Sequence, residues 1–396
     1  LEPNYADYAG ISGFWNASYS VLYTVNNAIS ELEKASLLRA KVRQQLLGEA
    51  YFLRAFHYFY LTNLFGDVPL VLSINHGSTS KQSRNSVSEV YAQINKDLTA
   101  AENLLVNDYA GIDVTQKTNE RLRPNLASVN ALQARVYLYQ RNYAQAEEAA
   151  TKVISLSSMY SFGSLSSTFL KNSSETIWAL QPVSIGLNTN EANLYVLPAD
   201  GPDNFHPVYL SEYLMTAFES GDGRKNAWTG NVSVTAAGAT NIFPYAAKYK
   251  VPAVGGSTDI QEYTIVLRLA EQYLIRAEAR NEQNNMSGAR EDLNMLRNHR
   301  RLEPTNELPD PLPALSTNLS KEQITSAIFH ERQVELFTEW GHRWFDLKRT
   351  ERIDQVMTPV LQARGSNWAN YKSIYPIPVG EIRLNSALTQ NPGYTN

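Results

Sequence analysis

Apolar residues recur every three to four positions over several long stretches, and polar residues fill the gaps between them. Trp15, Tyr19, Leu22, Val25 and Ile29 keep that spacing, as do Leu46, Ala50, Leu53, Phe56, His57, Tyr60 and Leu64. The spacing predicts two helices between residues 14 and 64. Gly66-Asp67-Val68-Pro69 ends the second, because glycine and proline cannot continue it. A loop rich in Ser, Asn and Gly over 73–86 leads to a third helix over 87–105, with Val90, Ile94, Leu98, Ala101 and Leu105 on one face.

Residues 125–155 read as a helical hairpin. Ala134, Ala146, Ala150 and Val153 are separated by 12, 4 and 3 residues, and Ala277, Ala289, Leu293 and Leu296 repeat those intervals. Small residues where helices cross, followed by apolar residues one turn apart, suit stacked helix pairs. The pattern predicts degenerate tetratricopeptide-like hairpins. Further helices are expected over 265–281, 287–300 and 321–350, with a proline-rich loop over 302–319 and an extended, turn-rich end over 375–394.

The 160–259 segment breaks this periodicity. It is rich in Ser, Asn, Gly and Pro, with a short β-prone run at Thr176-Ile-Trp-Ala-Leu180. So long an irregular stretch inside a helical fold is usually functional or a linker. The expected fold is mainly α. One domain spans 1–396, with a helical scaffold over about 13–158 and 262–396 and an irregular ligand-binding type of segment over about 159–261.

Composition narrows the function. The chain has 396 residues, 43% of them hydrophobic, and a net charge of −4 without any basic tract, which gives a nucleic-acid partner no support. With no cysteine there is no disulfide, thiolate metal site or cysteine nucleophile. No apolar run reaches the roughly 18–20 residues needed to cross a bilayer. The six histidines show no metal-binding spacing, and there is no glycine-rich phosphate loop or Gly-x-Ser-x-Gly elbow. No metal, cofactor or catalytic residue is therefore assigned. Asp200-Gly-Pro-Asp-Asn204 and Gly221-Asp-Gly-Arg224 read as turns and not as calcium loops.

The stretch from Ile328 to Arg349 carries a charge lattice, with Glu335 and Glu339 one turn apart and Arg343 one turn further. It reads as a structural network, because an arginine beside each acid keeps it ionised and poor as a general acid. Trp340 and Trp344 on the same stretch read as core.

Several blocks stand together with this one. They are Arg54-Ala-Phe-His-Tyr-Phe-Tyr-Leu61 with Phe65-Gly-Asp-Val-Pro-Leu70, Ser174-Glu-Thr-Ile-Trp178, Asp222-Gly-Arg224, Lys248-Tyr249, Arg268-Leu-Ala-Glu271 and Tyr375-Pro-Ile-Pro-Val-Gly-Glu-Ile382 with Asn391-Pro-Gly393. In this order, over nearly the whole chain, they resemble the SusD/RagB family. The resemblance implies a non-catalytic, cell-surface lipoprotein of a Gram-negative outer membrane. It implies a SusC-like, TonB-dependent transporter as partner and a glycan as ligand, with peptides in some members. It also implies an N-terminal lipid anchor, whose cysteine is absent from this sequence.

Sugar capture needs aromatic faces, with Asn, Asp or Arg to bond hydroxyls. The chain has 23 Tyr, 13 Phe and 6 Trp. Candidates in the irregular segment are Tyr195, Asp203, Asn204, Phe205, Tyr209, Trp228 and Tyr245, joined near the start by Tyr5 and Tyr8. Two other readings compete. An all-helical glycoside hydrolase needs two carboxylates about 5–10 Å apart in a cleft. A tetratricopeptide-type adaptor would bind protein segments in a helical groove.

Overall fold

The structure, a computed structural model, describes residues 9–183, 186, 188–252 and 260–395. They divide into two compact units. The first comprises residues up to 118, with 124–129 and 344 onward; the second comprises 119–123 and 130–343.

In the first unit the helices Ala9–Lys34, Ala40–Phe65 and Val87–Leu104 pack together. The first and third turn an apolar stripe to the core, with Trp15, Leu22, Ile94 and Leu98 buried. The second is buried on most sides, Phe52, Phe59, Leu61 and Phe65 among its buried residues, while Leu46, Leu53, His57 and Leu64 of its expected stripe are only half-buried. One buried ion pair crosses the interior: Arg54 Nη2 and Nε reach the Asp97 carboxylate at 2.6 and 2.8 Å, and Nη1 reaches Asn26 at 3.0 Å. The third helix opens with a capping box between Ser86 and Glu89, which satisfies backbone N–H groups left free at a helix start. The chain end folds back on this unit, where the Asn391 amide donates to the carbonyls of Phe65 at 2.8 Å and Tyr375 at 2.7 Å. The 375–394 end is not wholly extended, since Val379–Leu384 forms a short helix.

The second unit holds the helices Tyr143–Ile154, Leu269–Glu282, Met286–Arg300 and Lys321–Glu335, with most of Leu126–Tyr139. The small residues meet as their spacing predicts. Ala134, Ala146 and Ala150 pack with Ile275 and Ala279, while Ala277, Ala289, Leu293 and Leu296 pack with Ile324 and Ile328. Arg135 fixes this arrangement, donating from Nε and Nη2 to the two carboxylate oxygens of Glu271, both at 2.7 Å.

Two expected helices are changed. Residues 264–268 form a strand and not the first turn of a helix. β1 (Thr176–Leu180) pairs antiparallel with β4 (Thr264–Arg268), and the Leu269–Glu282 helix starts directly after it. β-Branched Thr264, Ile265 and Val266 fit a strand against that neighbour better than a helix. The helix expected over 321–350 stops at Glu335, turns, and resumes as His342–Arg349. Thr338, Trp340 and Gly341 take positive φ in the turn. Carbonyls freed at the helix end are met by cations: Lys248 Nζ donates to Glu335 O at 2.7 Å and Phe337 O at 2.8 Å, and Arg268 Nη2 to Glu335 O at 2.8 Å.

A hairpin emerges from the irregular segment. β2 (Thr229–Ala236) pairs in continuous antiparallel register with β3 (Ala239–Ala246). Ala237 and Gly238 join the strands with φ of 50° and 79°, the positive values that a tight two-residue hairpin loop requires.

Candidate functional site

Two features of the second unit concentrate chemistry, one buried and one exposed. In the buried one, Asp222, Glu175, Glu331, Glu335 and Glu339 interlock with Arg224, Arg268, Arg300 and Lys248. Arg300 bonds Glu175 at 2.7 Å and Glu335 at 2.9 Å, and Arg224 bonds Glu331 at 2.9 Å. Burial alone would raise the Glu335 carboxyl, but Arg300, Arg268 and Arg224 hold it well below the usual carboxylate range. Glu339 is likewise lowered, with Arg268 and Lys248 overcoming the effect of burial. Acids held ionised and buried in this way are poor proton donors, and the lattice joins distant segments of the unit through paired charges.

Glu219, His330 and Glu331 converge at the edge of this lattice, with potential ligand atoms within 4.8 Å of one another. Arg297 already bridges two of them, donating to Glu219 and Glu331 at 2.6 Å each. His330 and Arg297 together hold the Glu219 carboxyl far below its ordinary range. An arginine between the carboxylates leaves a cation little to gain there.

The exposed feature is the 198–213 loop, which lies against the β2–β3 hairpin. Gly201 sits on it at φ +88°, where a Cβ would stand 2.9 Å from Val234 Cγ2. Leu210 N donates to Pro244 O at 2.7 Å, and the Tyr209 ring meets Phe243 edge-on at 5.3 Å. Between these anchors Asp203 closes a turn. Its Oδ1 accepts from Phe205 N at 2.8 Å and His206 N at 2.7 Å, and contacts His206 Nδ1 at 2.9 Å. The His206 backbone N–H foremost, then its ring, the Phe205 N–H and the charge on His206, keep the Asp203 carboxyl below its ordinary value. This loop presents Phe205 at 83% exposure and Tyr209 at 56%, and the short helix Glu212–Met215 that follows it presents Tyr213 at 63%. Side chains so open on a braced backbone are available to stack on a flat apolar face.

The structure sorts the sequence candidates. Phe205, Tyr209, Asp203 and Asn204 share the loop and are all exposed. Tyr195 is half-buried and packs on the core beneath. The Tyr245 ring lies over its cross-strand partner Gly230, where a Cβ would come within 2.4 Å of Tyr245 Cζ. Trp228 must be set aside as a platform: it is 0% exposed, with its N–H donated to Leu165 O at 2.9 Å and its ring edge-on to Phe169. Large apolar area drives it into the core, and the indole N–H finds a partner there. Tyr5 and Tyr8 lie outside the described residues. Tyr213 is the aromatic not named from the sequence; it is exposed on the short helix that follows the buried Leu210. Trp340 and Trp344, expected as core, are half-buried; Trp344 meets Trp368 edge-on at 5.9 Å.

Known proteins place this architecture. The model of the SusD family matches residues 134–394, and a second one, described as starch-binding associating with outer membrane, matches 3–138. The SusD-like protein P2 of Formosa agariphila is 27% identical, over 97% of this chain and 81% of its own length. The starch-binding protein SusD of Bacteroides thetaiotaomicron is 25% identical, over 88% of this chain and 72% of its own. Surface glycan-binding protein A from Bacteroides uniformis shares the fold, with a TM-score of 0.76 at 21% identity over 96% of this chain and 85% of its own. Matched along nearly its whole length by these two models, the chain belongs to the SusD family.

Proposed function

We propose that this protein is a non-catalytic glycan-binding protein of a Gram-negative outer-membrane surface. A lipid at the N-terminus of the native protein holds it there, and it passes its ligand to a SusC-like, TonB-dependent transporter. The observation that carries the reading is the braced loop with Phe205 and Tyr209 open to solvent, followed by the exposed Tyr213 on the helix after it. Aromatic faces bind the C–H faces of sugar rings, and the exposed Asn204 beside them offers an amide to hydroxyls. The starch-binding and glycan-binding relatives support the same ligand class. The lack of catalysis is supported by the arginine-locked state of Glu175, Glu331, Glu335 and Glu339.

Titration calorimetry against polysaccharides, oligosaccharides and peptides, with each mixture checked for cleavage, tests this. Glycan binding without cleavage is the expected result. Product release would restore the hydrolase reading. Binding of peptides alone would keep the transporter role and replace the ligand.

A further inference from the structure

Charge is distributed unevenly around the exposed loop. Residues 195–213 contain Asp200, Asp203 and Glu212, all exposed, and no lysine or arginine. The β2–β3 hairpin beneath, 229–246, contains no charged residue at all. It presents Asn231, Ser233, Thr235, Thr240 and Asn241 to solvent. His206 is the one imidazole on the loop, and its Nδ1 lies 2.9 Å from Asp203 Oδ1.

Arg224 and Lys248 are buried and bonded to Asp222, Glu331 and Glu339. Lys225 and Lys250 are exposed, but they flank the hairpin in the chain and belong neither to it nor to the loop.

We infer that the glycan taken by this surface is uncharged, carrying neither sulfate nor uronate groups. The inference rests on the glycan-binding reading above and narrows it. Proteins that hold sulfate, phosphate or carboxylate use arginine and lysine, whose donors match those oxygens. This surface offers the opposite sign. An anionic glycan would meet exposed carboxylates on this surface with no lysine or arginine on the loop or hairpin to offset them, and the His206 imidazole there is already engaged by Asp203. A neutral glycan meets no such penalty. Its hydroxyls donate to the carboxylates of Asp200 and Glu212, and its oxygens accept from Asn, Ser and Thr.

The test compares neutral polysaccharides (laminarin, amylopectin, xyloglucan) with anionic ones (polygalacturonate, alginate, carrageenan) at low and at high salt. The expected result is binding of a neutral glycan with an affinity that changes less than about twofold with salt, because no ion pair is made. Anionic glycans should bind at least about tenfold more weakly at low salt. The double variant Phe205→Ala/Tyr209→Ala should lose the neutral glycan. The charge-reversal variant Asp200→Lys/Glu212→Lys should gain binding to an anionic glycan that high salt abolishes. Tight, salt-sensitive binding of an anionic glycan by the unaltered protein would overturn the inference and leave the capture role standing. Neutral-glycan binding untouched by Phe205→Ala/Tyr209→Ala would overturn it by placing the site elsewhere. Failure of every glycan, neutral and anionic, would remove the capture reading itself and this inference with it.

Discussion

Arg268 meets Glu339 side-on: Nε donates to Oε2 at 2.7 Å and Nη2 to Oε1 at 2.9 Å, with both side chains buried. The same guanidinium bonds Glu335 at 2.6 Å. One cation therefore serves two carboxylates from which water is excluded. Removing it leaves both short of a partner, and stranding a buried charge costs about 3–5 kcal/mol. Arg268→Ala should lower stability by that order, seen as a fall in the denaturant midpoint of the unfolding transition. An unchanged midpoint would mean that Lys248, Arg300 and Arg224 suffice without it.

The two classes of aromatic should separate cleanly. Trp228 is fully buried, so Trp228→Ala opens a cavity and should cost about 3–5 kcal/mol of stability. Phe205→Ala removes an exposed ring and should leave stability within about 0.5 kcal/mol of the parent. Tyr209→Ala, which also loses the edge contact with Phe243, should cost no more than about 1.5 kcal/mol. Each should weaken glycan binding about tenfold. Melting curves and calorimetry on the same three variants check both halves, and a stable Trp228→Ala protein that fails to bind would reverse the assignment.

These contrasts mark what could be read from the sequence. A helix with a clean apolar stripe, such as Val87–Leu104, was legible because its spaced residues Val90, Ile94, Leu98 and Ala101 are the buried ones. Ala40–Phe65, by contrast, is buried on most sides, and Phe52, Phe59 and Leu61 lie off the stripe its spacing suggests. The small-residue positions Ala146, Ala150, Ala277 and Ala289 were legible too, where close approach of two helices leaves no room for larger side chains. The break after Glu335 was not legible. Glu335 and Glu339 keep helical spacing, and both reach Arg268, yet they do so across a turn whose carbonyls are met by a lysine far away in sequence. Trp228 was misassigned for a related reason. Irregular sequence around it suggested a surface, but the core over which it packs draws on Phe169, Tyr249 and Phe337, which no local window joins. The loop residues Phe205 and Tyr209 could be named, whereas their bracing by Phe243 and Gly201 depends on a hairpin that was not foreseen.

Acid should weaken the first unit through His57. Burial lowers its pKa from the ordinary 6.5 to about 4. Between those values the unfolded chain binds a proton that the folded one does not, so stability is whole above about 6.5 and declines as pH falls through about 4. His57→Gln removes this titration. The loss of melting temperature between about pH 7 and about pH 4 should be smaller in the variant than in the parent. An equal loss in both would assign acid sensitivity to the carboxylates alone.

Gly201 couples the loop to the hairpin. Its φ of +88° is one that L side chains seldom adopt, and a Cβ there would stand 2.9 Å from Val234 Cγ2. Alanine at this position must shift the loop off the hairpin or force Val234 aside. The loop carries few buried side chains of its own, so the protein should still fold, with a loss of about 1–3 kcal/mol. Phe205 and Tyr209 would then keep their identity and lose their placement. Gly201→Ala should therefore weaken glycan binding by about as much as removing one ring, although it deletes no ligand contact. Binding that survives Gly201→Ala but not Phe205→Ala would show that the rings act without the hairpin beneath them. Loss in both would make the brace, and not the aromatic residues alone, the determinant of capture.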